Sequence, residues 1–231
     1  MKEQHQVFEK DPTCYDSDYE LHLMRNFGDL MFMENCAQEC NFTAAAEHYR
    51  KSFYTDVRRH GDIEKEYLNA YMKVLLVTGR EKNVIRLFEN DFAPDAQFIK
   101  DLVVDQKDQF IIRPTKKPRK IHAKPNSMTY MYLMIAFARL AMQTSNPKYY
   151  HHMCWAFKKI SSPNSLQRSG FIYMLWKYCN RPQYALDYFF STPLNLRESV
   201  EYDLALKCYM EVLKMKQPSQ VSNSGHDIQS N

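Results

Sequence analysis

The stretch Arg113 to Lys124, RPTKKPRKIHAK, places Arg113, Lys116, Lys117, Arg119, Lys120 and Lys124 within a dozen residues and contains no acid. Cations gathered in this way can neutralise several phosphates of a nucleic acid, because such affinity depends on where the charge lies rather than on the net total. The same run also fits a solvated loop, and Lys116-Lys117-Pro118-Arg119-Lys120 fits a short nuclear-import signal. A second group, Tyr149, Tyr150, His151 and His152, offers rings on which bases could stack, although its place on a helix equally suits packing. Cys36 and Cys40 stand one helical turn apart, and His151, His152 and Cys154 are close in sequence. Neither group has the paired, short-spaced ligands of a zinc site, so no metal and no cofactor are expected. A serine elbow, a Walker loop, an HExxH sequence and a paired CxxC are all missing, and the acids are spread along helical faces. No catalytic residue, and hence no enzyme and no small-molecule substrate, is expected.

The elements that must hold these residues are dictated by a chain of 231 residues that is 45% hydrophobic, enough for one domain or a short solenoid with a continuous core. Only five glycines occur, which disfavours a glycine-rich phosphate loop or a turn-dense β fold. Sixteen tyrosines, 14 phenylalanines and 13 methionines supply bulky and adaptable filling between helices. The formal charge of +4 is small, but it is unevenly placed: acids dominate Met1 to Glu20, whereas the middle carries the basic run. No apolar segment approaches the roughly 20 residues that cross a bilayer, so no membrane insertion is expected. The N-terminus lacks a hydrophobic signal core, and its acids are the opposite of a mitochondrial presequence, which points to a soluble, intracellular protein. Six scattered cysteines read as reduced, mostly buried thiols.

Apolar residues recur at three- and four-residue spacing almost throughout. The pattern predicts helices over Leu23 to Gln38, Thr43 to Tyr54 with Thr43 as N-cap, Glu64 to Val77, Glu81 to Asn90, and Asp95 to about Val104. Pro114, Pro118 and Pro125 exclude a helix across the basic run, which becomes a linker or exposed loop over 106–126. Helices resume over Met128 to Met142 after the capping pair Asn126-Ser127, then Lys148 to Ile160, Leu166 to Cys179, Pro182 to Phe190 and Glu198 to Met215. Residues 1–18 read as a polar lead-in, 19–105 and 127–216 as helical repeats, and 217–231 as a disordered tail. No strand is predicted.

The helices repeat in pairs. The clearest pair is Tyr67 to Phe88, YLNAYMKVLLVTGREKNVIRLF, hinged at Gly79-Arg80. Setting Gly79-Arg80 on Asn180-Arg181 puts Val84 on Ala185 and Leu87-Phe88 on Tyr188-Phe189, a shift of about three periods of some 34 residues. Cys40-Asn41 takes the same place in the first pair, and another pair runs from Thr129-Tyr130 to Ala156-Phe157 with extra residues near Ser145. The expected fold is all-α, a right-handed solenoid of about five antiparallel helical hairpins, with a binding surface rather than a catalytic pocket.

On Tyr67, Asn69, Gly79-Arg80 and Leu87-Phe88, and less closely on Thr129-Tyr130, Arg181, Ala185 and Phe189, the sequence resembles the pentatricopeptide-repeat family over about residues 27 to 215. That resemblance implies a solenoid that binds single-stranded RNA in an organelle, chiefly the mitochondrion, and acts in transcript stability, processing or translation. It makes Asn69 a base-contacting residue, since an amide can both donate to and accept from a base edge. Leu30, Met131 and Gly170 occupy the matching places elsewhere and offer no such group, which argues against a base-by-base code. Tetratricopeptide repeats share the hairpin, and the alternative they imply is a cytosolic or nuclear scaffold that holds a protein partner or joins a larger assembly.

Overall fold

A computed structural model describes residues 17–54, 61–92 and 123–216, which are all-helical, with no strand among them. None of the described helices is long and apolar enough to cross a membrane. The expected helix Asp95 to Val104 and most of the basic loop lie outside the described residues. The chain divides into two compact units, Met1–Ala136 and Phe137–Asn231.

Unit 1 contains α1 (Ser17–Gln38), α2 (Phe42–Tyr54), α3 (Gly61–Val77), α4 (Glu81–Asp91) and the start of α5 (Ser127–Thr144). Its core forms because Leu68, Met72 and Leu75 of α3 and Val84, Ile85 and Phe88 of α4 recur at helical spacing and are fully or nearly fully buried. The most extensive packing is of α1 on α3, with α2 and α4 also against α3. The start of α2 differs from the sequence expectation. Asn41, not Thr43, caps it: the Asn41 side-chain oxygen accepts the Ala44 N–H at 3.1 Å, so Thr43 falls inside the first turn.

Unit 2 contains the rest of α5, then α6 (Pro147–Lys158), α7 (Ser165–Tyr173), α8 (Pro182–Ser191) and α9 (Ser199–Lys216). Asn146 caps α6 by accepting the Lys148 N–H, with Pro147 in the first turn, where its missing N–H costs nothing. Asn164 and Gln167 form a reciprocal capping box at α7. The helix predicted over Leu166 to Cys179 does not end as a regular helix. It widens into a five-residue π turn, Met174–Tyr178, closed by the Cys179 N–H on the Met174 carbonyl at 3.0 Å. Phe157 of α6 stacks on Phe171 of α7 at 4.0 Å, with Tyr188 of α8 edge-on to both, and α9 packs on α7 and α8.

The three turns aligned in the sequence share one backbone device. Cys40, Gly79 and Asn180 adopt left-handed φ values of 53°, 70° and 50°. The next residue then donates back into the finished helix: Asn41 to Cys36, Arg80 to Leu75 and Arg181 to Leu175, each at 2.8 Å. The last bond spans one residue more because the π turn precedes it. Ser145, at φ 52°, closes α5 in the same left-handed conformation.

Candidate nucleic-acid interface

Asn69 sits on α3 and is only 3% exposed. Its amide is engaged at both ends: the oxygen accepts the Thr129 hydroxyl at 2.8 Å, and the nitrogen donates to the Asn126 side-chain oxygen at 3.1 Å. Asn126 also accepts the Thr129 N–H at 3.0 Å, as the cap of α5, and donates to Glu66 at 3.2 Å. The side chain that family resemblance assigns to base contact therefore fastens α3 to the start of α5. Two residues before that anchor, Lys124 is exposed. Arg113, Lys116, Lys117, Arg119 and Lys120 lie outside the described residues, so Lys124 is the one member of the basic run whose position is known.

Elsewhere in unit 1 several polar groups pair with one another. Tyr49 donates to Asp91 at 2.6 Å and stacks on Tyr71 at 4.5 Å. Burial pushes the Asp91 carboxyl up to about 7, against the lowering effect of the Tyr49 hydrogen bond and with a further push from Glu64. His48 bridges Asp29 at 3.1 Å and Tyr67 at 3.0 Å, Lys73 pairs with Glu34, and the Arg80 guanidinium lies 3.7 Å above the Phe42 ring.

Unit 2 presents a different surface. The four-residue run Tyr149 to His152 splits according to helical phase: Tyr149 and His152 are buried, and His152 and Tyr149 both face Phe137, while Tyr150 and His151 turn outward. The outward arc of α6 carries Tyr150, His151, Trp155 and Lys158, and Lys159 just beyond the helix lies 5.8 Å from the Trp155 ring. From α8, Tyr184 reaches 5.9 Å from Tyr150, and Arg181 lies 5.7 Å from Tyr150 and 5.9 Å from Tyr184. On the π turn, Lys177 lies 4.0 Å above Trp176. Among the described residues, Lys148, Lys158, Lys159, Lys177 and Arg181 form no ion pair.

The reason is visible in the sequence: between Asp108 and Asp187 there is no Asp or Glu at all. Exposed cations thus continue beyond Arg113 to Lys124 on α6 and the π turn, whereas Arg168, the one cation of α7, is buried against Glu201. The neighbouring acidic protons do not offset the exposed cations. Burial raises the Cys154 thiol and the Tyr150 hydroxyl, and pushes Cys179 up to about 12, so these groups stay neutral at physiological pH. Such an arc has what single-stranded nucleic acid requires, cations for phosphates and ring faces for bases. Both tryptophans of the chain lie in this acid-free stretch, each with a lysine across its ring.

Among the described residues no group of three or more His, Cys, Asp or Glu is arranged to hold a metal. Compared with known proteins, the chain matches no family model, no curated protein and no solved structure.

Proposed function

We propose that this chain binds single-stranded RNA, and that its principal contact is the aromatic and cationic arc of unit 2 formed by Tyr150, His151, Trp155, Lys158, Arg181 and Tyr184. The observation that carries the reading is the absence of any acid between Asp108 and Asp187, over which exposed or half-exposed rings stand beside cations that have no carboxylate partner. The basic run Arg113 to Lys124 supplies a second, sequence-independent source of phosphate affinity. Asn69 supports the fold in this reading and does not contact a base. The shared turns at Cys40, Gly79 and Asn180 support recurring helical hairpins, and the right-handed solenoid in this proposal rests on the pentatricopeptide resemblance. By the same resemblance we place the protein in mitochondrial gene expression, which microscopy of a tagged chain would test.

The biochemical test is fluorescence anisotropy with a labelled single-stranded RNA at several salt concentrations. Binding should weaken linearly on a log–log plot, with a slope of about −0.7 per neutralised phosphate. Replacing Lys158, Lys159 and Arg181 together with glutamine should make the slope shallower by about two units. No binding at low salt, or an unchanged slope in the triple variant, would overturn the reading.

A further inference from the structure

Helix α9 is apolar on two faces, and among the described residues only one of them is covered. Glu201, Ala205, Cys208 and Val212 are buried against the rest of unit 2. On another face, Tyr202, Leu206, Tyr209 and Leu213 follow one another at spacings of four, three and four, the seam of a coiled coil. They are 46%, 62%, 49% and 39% exposed, and Met210 beside them is 50% exposed. Ser199 and Lys216 occupy the next seam positions at either end, so the apolar stripe is bounded by polar residues. A stripe of this kind on an 18-residue helix, about 27 Å long, calls for a partner helix.

The charges around the stripe identify which helix. The first turns of α9 and the residue before it carry Glu198 and Asp203 on the surface, whereas the last turn carries Lys214 and Lys216. Glu201, the other acid at that end, is buried and held by Arg168. Lys207 lies mid-helix, outside the stripe, and Glu211 is tied to Lys214 at 3.6 Å within the helix. A second α9 running parallel would set acid against acid at one end and lysine against lysine at the other. Running antiparallel, with Leu206 against Tyr209 of the second copy, it brings the end that carries Glu198 and Asp203 beside the end that carries Lys214 and Lys216, and opposes the two helix dipoles favourably. The area agrees with a modest self-interface. Five half-exposed large side chains per copy make a small interface, at or below the threshold of about 1,000 Å² for specific association.

We propose that α9 pairs antiparallel with α9 of a second copy of this chain, through Tyr202, Leu206, Tyr209 and Leu213. The pairing uses a helix outside the acid-free stretch, so it stands whether or not unit 2 binds RNA. An interface this small corresponds to a weak, reversible association.

Sedimentation velocity of the full chain from about 1 to about 200 µM brackets such an affinity. The expected result is a concentration-dependent shift from monomer to dimer. Leu206→Asp should abolish the shift over this range, and the milder Leu206→Gln should weaken it about tenfold. Leu206 is an exposed residue, so circular dichroism should show both variants folded. Lys214→Glu with Lys216→Glu should weaken the dimer severalfold, and adding Glu198→Lys and Asp203→Lys should restore it, because only self-pairing of opposite ends is rescued by reversing both. A chain that stays monomeric at 200 µM, a dimer indifferent to Leu206→Asp, or a charge swap without rescue would each overturn the proposal.

Discussion

The two units handle polar side chains in opposite ways. In unit 1, Asn69 bonds Asn126 and Thr129, Tyr49 bonds Asp91, His48 bridges Asp29 and Tyr67, and Lys73 pairs with Glu34. In unit 2 the buried pair Arg168 and Glu201 is internal in the same manner, but Lys148, Lys158, Lys159, Lys177 and Arg181 have no carboxylate to meet. Unit 1 holds the clearest hairpin of the sequence, Tyr67 to Phe88, yet Asn69 in it serves packing. Unit 2 has less regular hairpins in sequence and carries the exposed rings and cations. Motif strength therefore reports how a hairpin folds, and the ligand surface has to be read from what the fold leaves unpaired.

The largest expected effect tests the exception in unit 2. The Arg168 Nε donates to Glu201 at 2.7 Å, and its other nitrogens bond the carbonyls of Pro163 and Leu196. Arg168→Ala would strand Glu201, which is 1% exposed, and should lower unfolding free energy by about 3–5 kcal/mol in urea denaturation. A loss below about 1 kcal/mol would mean that unit 2 lacks the buried pair described.

Next comes pH. An unfolded aspartate titrates near 3.9, whereas folded Asp91 is pushed up to about 7. Between these values the folded chain holds the proton that the unfolded chain has released, so stability falls as pH rises from about 4 to about 7. Above pH 7 this contribution is flat. Asp91→Asn keeps an acceptor for Tyr49 and should remove a slope totalling a few kcal/mol across that window, measured as the difference between the two proteins' stability curves. Parallel curves would contradict the burial of an ionisable Asp91.

Asn69→Ala should cost about 1–3 kcal/mol of stability, because the Thr129 hydroxyl and the Asn126 amide lose a buried partner. Its RNA affinity should change less than about twofold under conditions where it is folded, in contrast to a base-reading residue, whose loss costs affinity. In unit 2, Trp155→Ala should do the reverse. It should weaken RNA binding by about 1–3 kcal/mol, the value of one stacked base, with a smaller effect on stability than Arg168→Ala.

Much of the fold was legible because it is local. Helical spacing locates the described helices to within about three residues, except that α1 begins at Ser17, inside the stretch read as a polar lead-in, rather than at Leu23; the equivalence of Cys40, Gly79 and Asn180 is likewise legible from the turn residues alone. What escaped depends on distant partners or small local competition. Asn41, not Thr43, is the cap because the helix starts one residue earlier, at Phe42, and the Asn41 side-chain oxygen then reaches the Ala44 N–H. Asn69 could not be read as buried, since its partners lie 57 and 60 residues away. The π turn at Met174–Tyr178 left no pattern that helical spacing distinguishes. The acid-free span between Asp108 and Asp187 was readable by counting charges over a longer window than the run at Arg113 to Lys124. Which of its cations stand beside rings required the packing of α6 against α8.

The contrast between the units is tested most directly by ultraviolet crosslinking of a single-stranded RNA to the full chain, with the attached peptides identified by mass spectrometry. The account predicts crosslinks at Tyr150, Trp155 or Tyr184 in unit 2, with others in the basic run, and none at Tyr67 to Phe88. Crosslinks confined to the Tyr67 to Phe88 hairpin would contradict it.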